Sequence, residues 1–167
     1  MEEKEYWMQY AIEEAKKAEA LDEVPIGAVV VYDHRIIGRG HNLRETSHDA
    51  TTHAEIQAIR EACQAKDNWR LEDCALYVTL EPCPMCSGAI LQSRIPYVYF
   101  GAYDQKGGTC GTLMNLLDDD RFNHKSVVEG GVCHDECQAQ LQHFFRTLRA
   151  RKKEEKRLKK LAEQENE

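Results

Sequence analysis

The stretch Cys74-Ala75-Leu76-Tyr77-Val78-Thr79-Leu80, continuing into Glu81-Pro82-Cys83-Pro84-Met85-Cys86, decides most of the fold. Its first seven residues carry no charge and predict a buried strand. Pro84, favoured in the first turn of a helix, predicts that a helix begins there and runs to about Ser93. Cys83 and Cys86 are three residues apart at that helix start, so both can grip one ion. The positive end of the helix dipole favours thiolate, the form that binds metal.

Thirty residues upstream, His53-Ala54-Glu55 opens a second predicted helix, marked by Ala54, Ile56, Ala58, Ile59 and Ala62. One histidine and two cysteines make three protein ligands, which leaves a fourth position for water, as in catalytic zinc sites. Glu55 lies about 200° round a regular helix from His53, which suits a separate acid/base and not a second ligand. The competing cluster Cys133-His134-Asp135-Glu136-Cys137, with His143 beyond it, could close a four-ligand structural site. However, Asp135-Glu136 reads as helix-start chemistry, and Cys137, Leu141, Phe144 and Leu148 recur as the core face of a helix.

Elsewhere the pattern predicts an amphipathic helix over 3–20, with Trp7, Met8, Ala11, Ile12, Ala15 and Ala18 inward and charges on the other face. A β-hairpin follows, with strands over 24–32 and 35–40 turning at Asp33-His34. Gly27 within the first strand implies close approach by a ligand or a packed helix. Residues 41–52 read as a polar loop, 97–101 as a strand and 126–129 as a last strand. A final helix starts near Asp135 and continues into a charged tail. Strands alternating with helices predict an α/β protein in three layers, α/β/α, around a mixed sheet of about five strands.

The chain has 167 residues, 42% hydrophobic and 31% charged, as expected of one globular domain over 1–149 followed by a charged helical tail over 150–167. No run of about 18 apolar residues is present, and the acidic start Met1-Glu2-Glu3-Lys4-Glu5 is unlike a signal peptide. An intracellular protein is expected. Seven cysteines without a secretory leader argue against a disulfide framework and for metal binding plus buried thiols at Cys63, Cys74 and Cys110. Net charge is −7, unevenly spread. Residues 146–160 hold nine Lys/Arg against two Glu, and residues 161–167 hold three more Glu, leaving −11 on residues 1–145. A basic arm on an acidic body suggests a polyanionic partner.

The two motifs together resemble the signature of the zinc-dependent cytidine/deoxycytidylate deaminase superfamily. Val24-Pro25-Ile26-Gly27-Ala28-Val29, Gly40-His41-Asn42, Leu76 to Cys83, Phe100-Gly101-Ala102, Asp104 and Lys106-Gly107-Gly108 narrow the likeness to the bacterial tRNA-specific adenosine deaminases. That resemblance covers about Tyr6 to Arg149. It implies a cytidine deaminase-like fold, one Zn²⁺ per subunit on His53, Cys83 and Cys86, and Glu55 as proton carrier. It also implies hydrolytic conversion of adenosine to inosine at the wobble position of an anticodon, chiefly in arginine tRNA, in the cytoplasm. Ile26 would line the base pocket and Asn42 would hydrogen-bond the purine. Asp104, Lys106, Phe144, Phe145 and Arg149 would meet the anticodon stem-loop, and the enzyme would be a homodimer. A deaminase of free guanine, cytosine or dCMP would share the zinc set, and the basic arm weighs against it.

Overall fold

Alternate side chains of the strand Gly27–Tyr32 (β1) point to opposite faces, and both faces are buried. Ala28 and Val30 join one core, while Val29 and Val31 join another. Two-sided burial explains why the strands read as apolar runs without polar alternation. The structure is a computed structural model that describes residues 2–166. Its elements in chain order are α1 (Glu3–Ala20), β1, β2 (Arg35–His41), α2 (Arg44–Ser47) and α3 (Ala54–Lys66). They continue with β3 (Cys74–Leu80), α4 (Pro84–Ser93), β4 (Tyr97–Ala102), β5 (Val127–Glu129) and α5 (His134–Glu165).

The sheet order is β2-β1-β3-β4-β5. β1 runs antiparallel to β2 and β3, and β3, β4 and β5 are parallel, giving the mixed five-stranded sheet expected. A bulge interrupts the β1–β2 ladder at Val30/Val31. Helices α3 and α4 cover one face through Ala58, Ile59, Ala62, Ile90 and Leu91. The other face is covered by α1, through Trp7, Met8, Ala11 and Ile12, and by the start of α5, through Cys137. The three layers follow.

Several details depart from the sequence reading. β1 starts at Gly27, because Pro25 has no N–H to pair and Ile26 N–H turns back to the Val24 carbonyl at 2.9 Å. Not every charged residue of α1 lies on its outer face, since Glu14 is only 2% exposed. Lys17 Nζ (2.7 Å), His41 Nδ1 (3.3 Å) and Arg39 Nη1 (3.6 Å) surround its carboxylate. The polar loop after β2 contains the one-turn helix α2, whose Glu45 and Thr46 N–H groups donate to the buried Glu23 carboxylate at 3.1 and 2.7 Å. A cap supplied from 22 residues upstream leaves no local signature.

Gly27 admits a helix and not a ligand. A Cβ there would lie 2.1 Å from the Ala11 carbonyl oxygen and 2.4 Å from the Ala15 nitrogen. Neither backbone atom can yield without moving α1. Gly27→Ala is therefore expected to destabilise the protein by about 3 kcal/mol and to lower the midpoint of thermal unfolding by about 6–12 °C. Calorimetry of the two proteins checks this.

Candidate active site

Two helix starts face each other at one end of the sheet. His53 is the N-cap of α3, with extended backbone (φ −81°, ψ 156°), and Cys83 is the N-cap of α4 (φ −79°, ψ 175°). His53 thus stands just outside the helix, so the angular relation to Glu55 in a regular helix does not apply. Cys86 lies in the first turn of α4, and the Cys83 carbonyl accepts the Ser87 N–H at 2.8 Å. Proline at the first helical position fixes this geometry at no cost in hydrogen bonds.

His53 Nδ1 lies 3.6 Å from Cys83 Sγ and 3.5 Å from Cys86 Sγ. The three donor atoms all fall within 4.8 Å of one another. Tetrahedral zinc with ordinary Zn–N and Zn–S lengths needs an N···S separation of about 3.6 Å. The donor set therefore fits zinc in type and spacing. Among the described residues this is the one His/Cys/Asp/Glu group so placed. Cys133, His134, Cys137 and His143 do not assemble: Cys137 is buried against Gly101, and His143 turns toward Glu19 at 4.0 Å.

The three donors polarise one another. The hydrogen bond from Cys86, followed by that from His53, outweighs burial and lowers Cys83 to about 4. Giving that hydrogen bond and being buried both raise Cys86. The bond to Cys83 raises His53. Burial pushes the Glu55 carboxyl up to about 7; its own backbone N–H and His53 oppose the shift.

A pocket of about 230 Å³ opens over this cluster. Its wall includes Ile26, Asn42, His53, Glu55, Cys83 and Asp104, so six of the candidate residues meet there. Val24, Arg44, Leu80 and Glu81 also line it, and sequence reading did not single them out. Asn42 is 6% exposed and already engaged: Nδ2 donates to the Val24 carbonyl (3.3 Å), and Oδ1 accepts the Arg44 N–H (3.1 Å). Asp104 Oδ1 accepts the Lys106 and Gly107 N–H groups, both at 3.1 Å. Lys106 is exposed and is not part of the pocket wall. On α5, Phe144 packs inward at 7% exposure while Phe145 stands out at 40%. Phe145 and Arg149 border a separate surface depression with Gln138, Leu141, Gln142 and Arg146.

Comparison with known proteins places this arrangement. A family model described as MafB19-like deaminase matches residues 2–149. The tRNA-specific adenosine deaminase of Bacillus subtilis (strain 168) is 57% identical over 153 residues, which is 92% of this chain and 95% of the relative. The chain belongs to the tRNA-specific adenosine deaminase family. The family member from Haemophilus influenzae is 50% identical over 157 residues, covering 93% of this chain and 91% of its own. A solved structure from work on A-to-I editing by tRNA:A34 deaminases at the wobble position superimposes with a TM-score of 0.78. It is 43% identical and covers 81% of this chain and 99% of its own. A guanine deaminase from Bacillus subtilis superimposes with a TM-score of 0.58 at 42% identity, over 62% of this chain and 66% of that one.

The sign of the Glu55 shift makes a pH prediction for the protein kept metal-free with a chelator. Below pH 4.5 the carboxyl is neutral whether folded or unfolded and has no effect on stability. Between pH 4.5 and about 7 the unfolded chain ionises first, so stability falls as pH rises. The loss approaches about 3 kcal/mol above pH 7. Under chelation, Glu55→Gln is expected to equal the parent in urea unfolding at pH 4 and to exceed it by up to that amount at pH 8.

Proposed function

We propose that this protein is a zinc-dependent hydrolase that deaminates adenosine to inosine at the wobble position of a tRNA anticodon, chiefly arginine tRNA, with release of ammonia. The observation that carries the reading is the meeting of His53, Cys83 and Cys86 beside a buried Glu55 at the pocket floor. Family membership supplies the substrate class. One Zn²⁺ per subunit on these three residues would provide Lewis acidity toward water.

The chain's own groups account for the rest of the reaction. Glu55, buried beside the three donors, takes a proton from the attacking water and gives one to the departing amine. Water adds at C6 of the base, and ammonia leaves as the carbonyl of inosine forms. The base has to leave its stack to enter the pocket. Val24, Ile26 and Leu80 give that pocket apolar walls, and Asn42 gives it a polar edge. Asp104 and Lys106 stand on the loop at its rim.

Phe145 offers an exposed ring for an unstacked loop base, with Arg149 beside it. Phe144 contributes by holding α5 against the body. Past Arg149 the helix continues with its described residues exposed, a charged tail of about 24 Å that Arg151 ties to Asp22 at 3.1 Å. Its lysines and arginines suit phosphates of the anticodon stem. A groove between α3 and α4, with Ile56, Ile59, Ala89 and a half-exposed Trp69, supports assembly as a homodimer. No described helix is long and apolar enough to cross a membrane. A tRNA substrate makes the cytoplasm the working compartment.

Incubation with an anticodon stem-loop carrying adenosine at the wobble position, read by sequencing for inosine, tests the reading. Turnover of free guanine, cytosine or dCMP with none of the stem-loop would overturn it. Glu55→Ala is expected to keep one zinc per chain yet lose at least about a thousandfold in rate. Cys83→Ala should lose the zinc itself, as elemental analysis will show. For the tail, changing Lys152, Lys153, Lys156, Arg157, Lys159 and Lys160 to Gln should flatten the dependence of log K for tRNA on log salt. The slope should fall by about 0.7–0.9 for each phosphate contact removed.

A further inference from the structure

We propose that Glu81 is a positioning residue whose carboxylate holds the loop over residues 104–112, and with it Asp104 and Lys106, against the segment bearing Cys83 and Cys86. The inference rests on the reading under Proposed function, in which that loop meets RNA. Glu81 is 2% exposed and lines the pocket. Its Oε1 accepts the Asp104 N–H at 3.2 Å and the Thr112 hydroxyl. Its Oε2 accepts the N–H groups of Cys110 (3.1 Å) and Thr112 (3.0 Å). Among the described residues no Lys, Arg or His pairs with it, so four neutral donors from one loop satisfy a buried carboxylate.

The loop is built around this group. At Gly108 a Cβ would lie 2.3 Å from Glu81 Cδ, so any larger residue would displace the carboxylate. Thr109 adds two bonds to the Pro82 carbonyl, from its N–H at 3.0 Å and from its hydroxyl at 3.1 Å. Between β4 and Leu116 no described residue is in a helix or strand, apart from the isolated Cys110–Asn115 bridge, so the Glu81 bonds add to a few backbone hydrogen bonds in fixing the loop. The order passes outward: Glu81 fixes the Asp104 N–H, and Asp104 Oδ1 fixes the N–H groups of Lys106 and Gly107. An apolar side chain would be cheaper to bury here, but it could not satisfy three backbone N–H groups.

The zinc ligands sit on other anchors, the starts of α3 and α4. Loss of the Glu81 clamp should therefore weaken substrate binding while leaving the metal and the chemical step in place. Glu81→Gln keeps the shape but aims an NH₂ at N–H donors. It is expected to bind one zinc, raise KM for the stem-loop at least tenfold and leave kcat within about threefold of the parent. Hydrogen exchange should quicken at the amides of Asp104, Cys110 and Thr112. Glu81→Asp, which keeps the charge, should recover part of the KM. Thr112→Val, which removes only the hydroxyl donor, should raise KM about threefold.

An unchanged KM in Glu81→Gln, a loss carried by kcat, or loss of zinc would overturn the proposal. Should Glu81→Gln fail to fold, unchanged KM in both Glu81→Asp and Thr112→Val overturns it equally. The parent protein runs beside every variant. If the parent makes no inosine, the tRNA reading fails, whereas amide exchange in the variants still decides whether Glu81 holds the loop.

Discussion

Three donor atoms from segments thirty residues apart have to meet within a few ångströms, and much of the architecture serves that requirement. The sheet solves it by ending β3 where α4 begins, with Cys83 as the hinge residue between strand and helix. Helix α3 lies on the same face and has His53 as its N-cap, so the two N-termini converge. Each brings free backbone N–H groups and a partial positive charge to a place where two sulfurs and a carboxylate gather. The site is therefore anchored in secondary structure, where side chains are placed most rigidly, and the loops shape its rim.

Buried carboxylates recur through the fold and are accommodated in three ways. Glu14 is surrounded by Lys17, Arg39 and His41, which fastens α1 to the hairpin. Glu23 accepts backbone N–H groups and shapes α2 beside Arg44. Glu81 does the same for the opposite rim. In Glu55, by contrast, desolvation dominates, and its pKa rises toward neutrality. The first three accept hydrogen bonds from named partners. Burial outweighs what stabilises the charge of Glu55.

The sheet and the long helices were legible because burial on both faces leaves unbroken apolar runs, as in Cys74–Leu80, and helices leave periodic ones, as at Ala54, Ala58 and Ala62. The His53, Cys83 and Cys86 cluster was legible from residue type and spacing. Glu81, Glu23 and the one-turn helix α2 were not, because their partners are backbone N–H groups, which have no letter in the sequence. His53 was expected inside its helix; as an N-cap of unusual type it gave no signal of standing outside. The adjacent Phe144 and Phe145 could be predicted to split between core and solvent. The recurrence of Cys137, Leu141, Phe144 and Leu148 points to Phe144 as the inner one, and the structure buries it.

The strand order has a consequence for how the molecule behaves among its own copies. The outer strands of a sheet expose unpaired backbone that a stray chain can extend into a growing ladder. Here one border is β5, only three residues long. The other is β2, which is punctuated by glycines, carries Arg35 and Arg39, and pairs with its neighbour through a bulge. Neither border presents a long, flat template. The apolar strands that would be most adhesive, β1, β3 and β4, are enclosed between them.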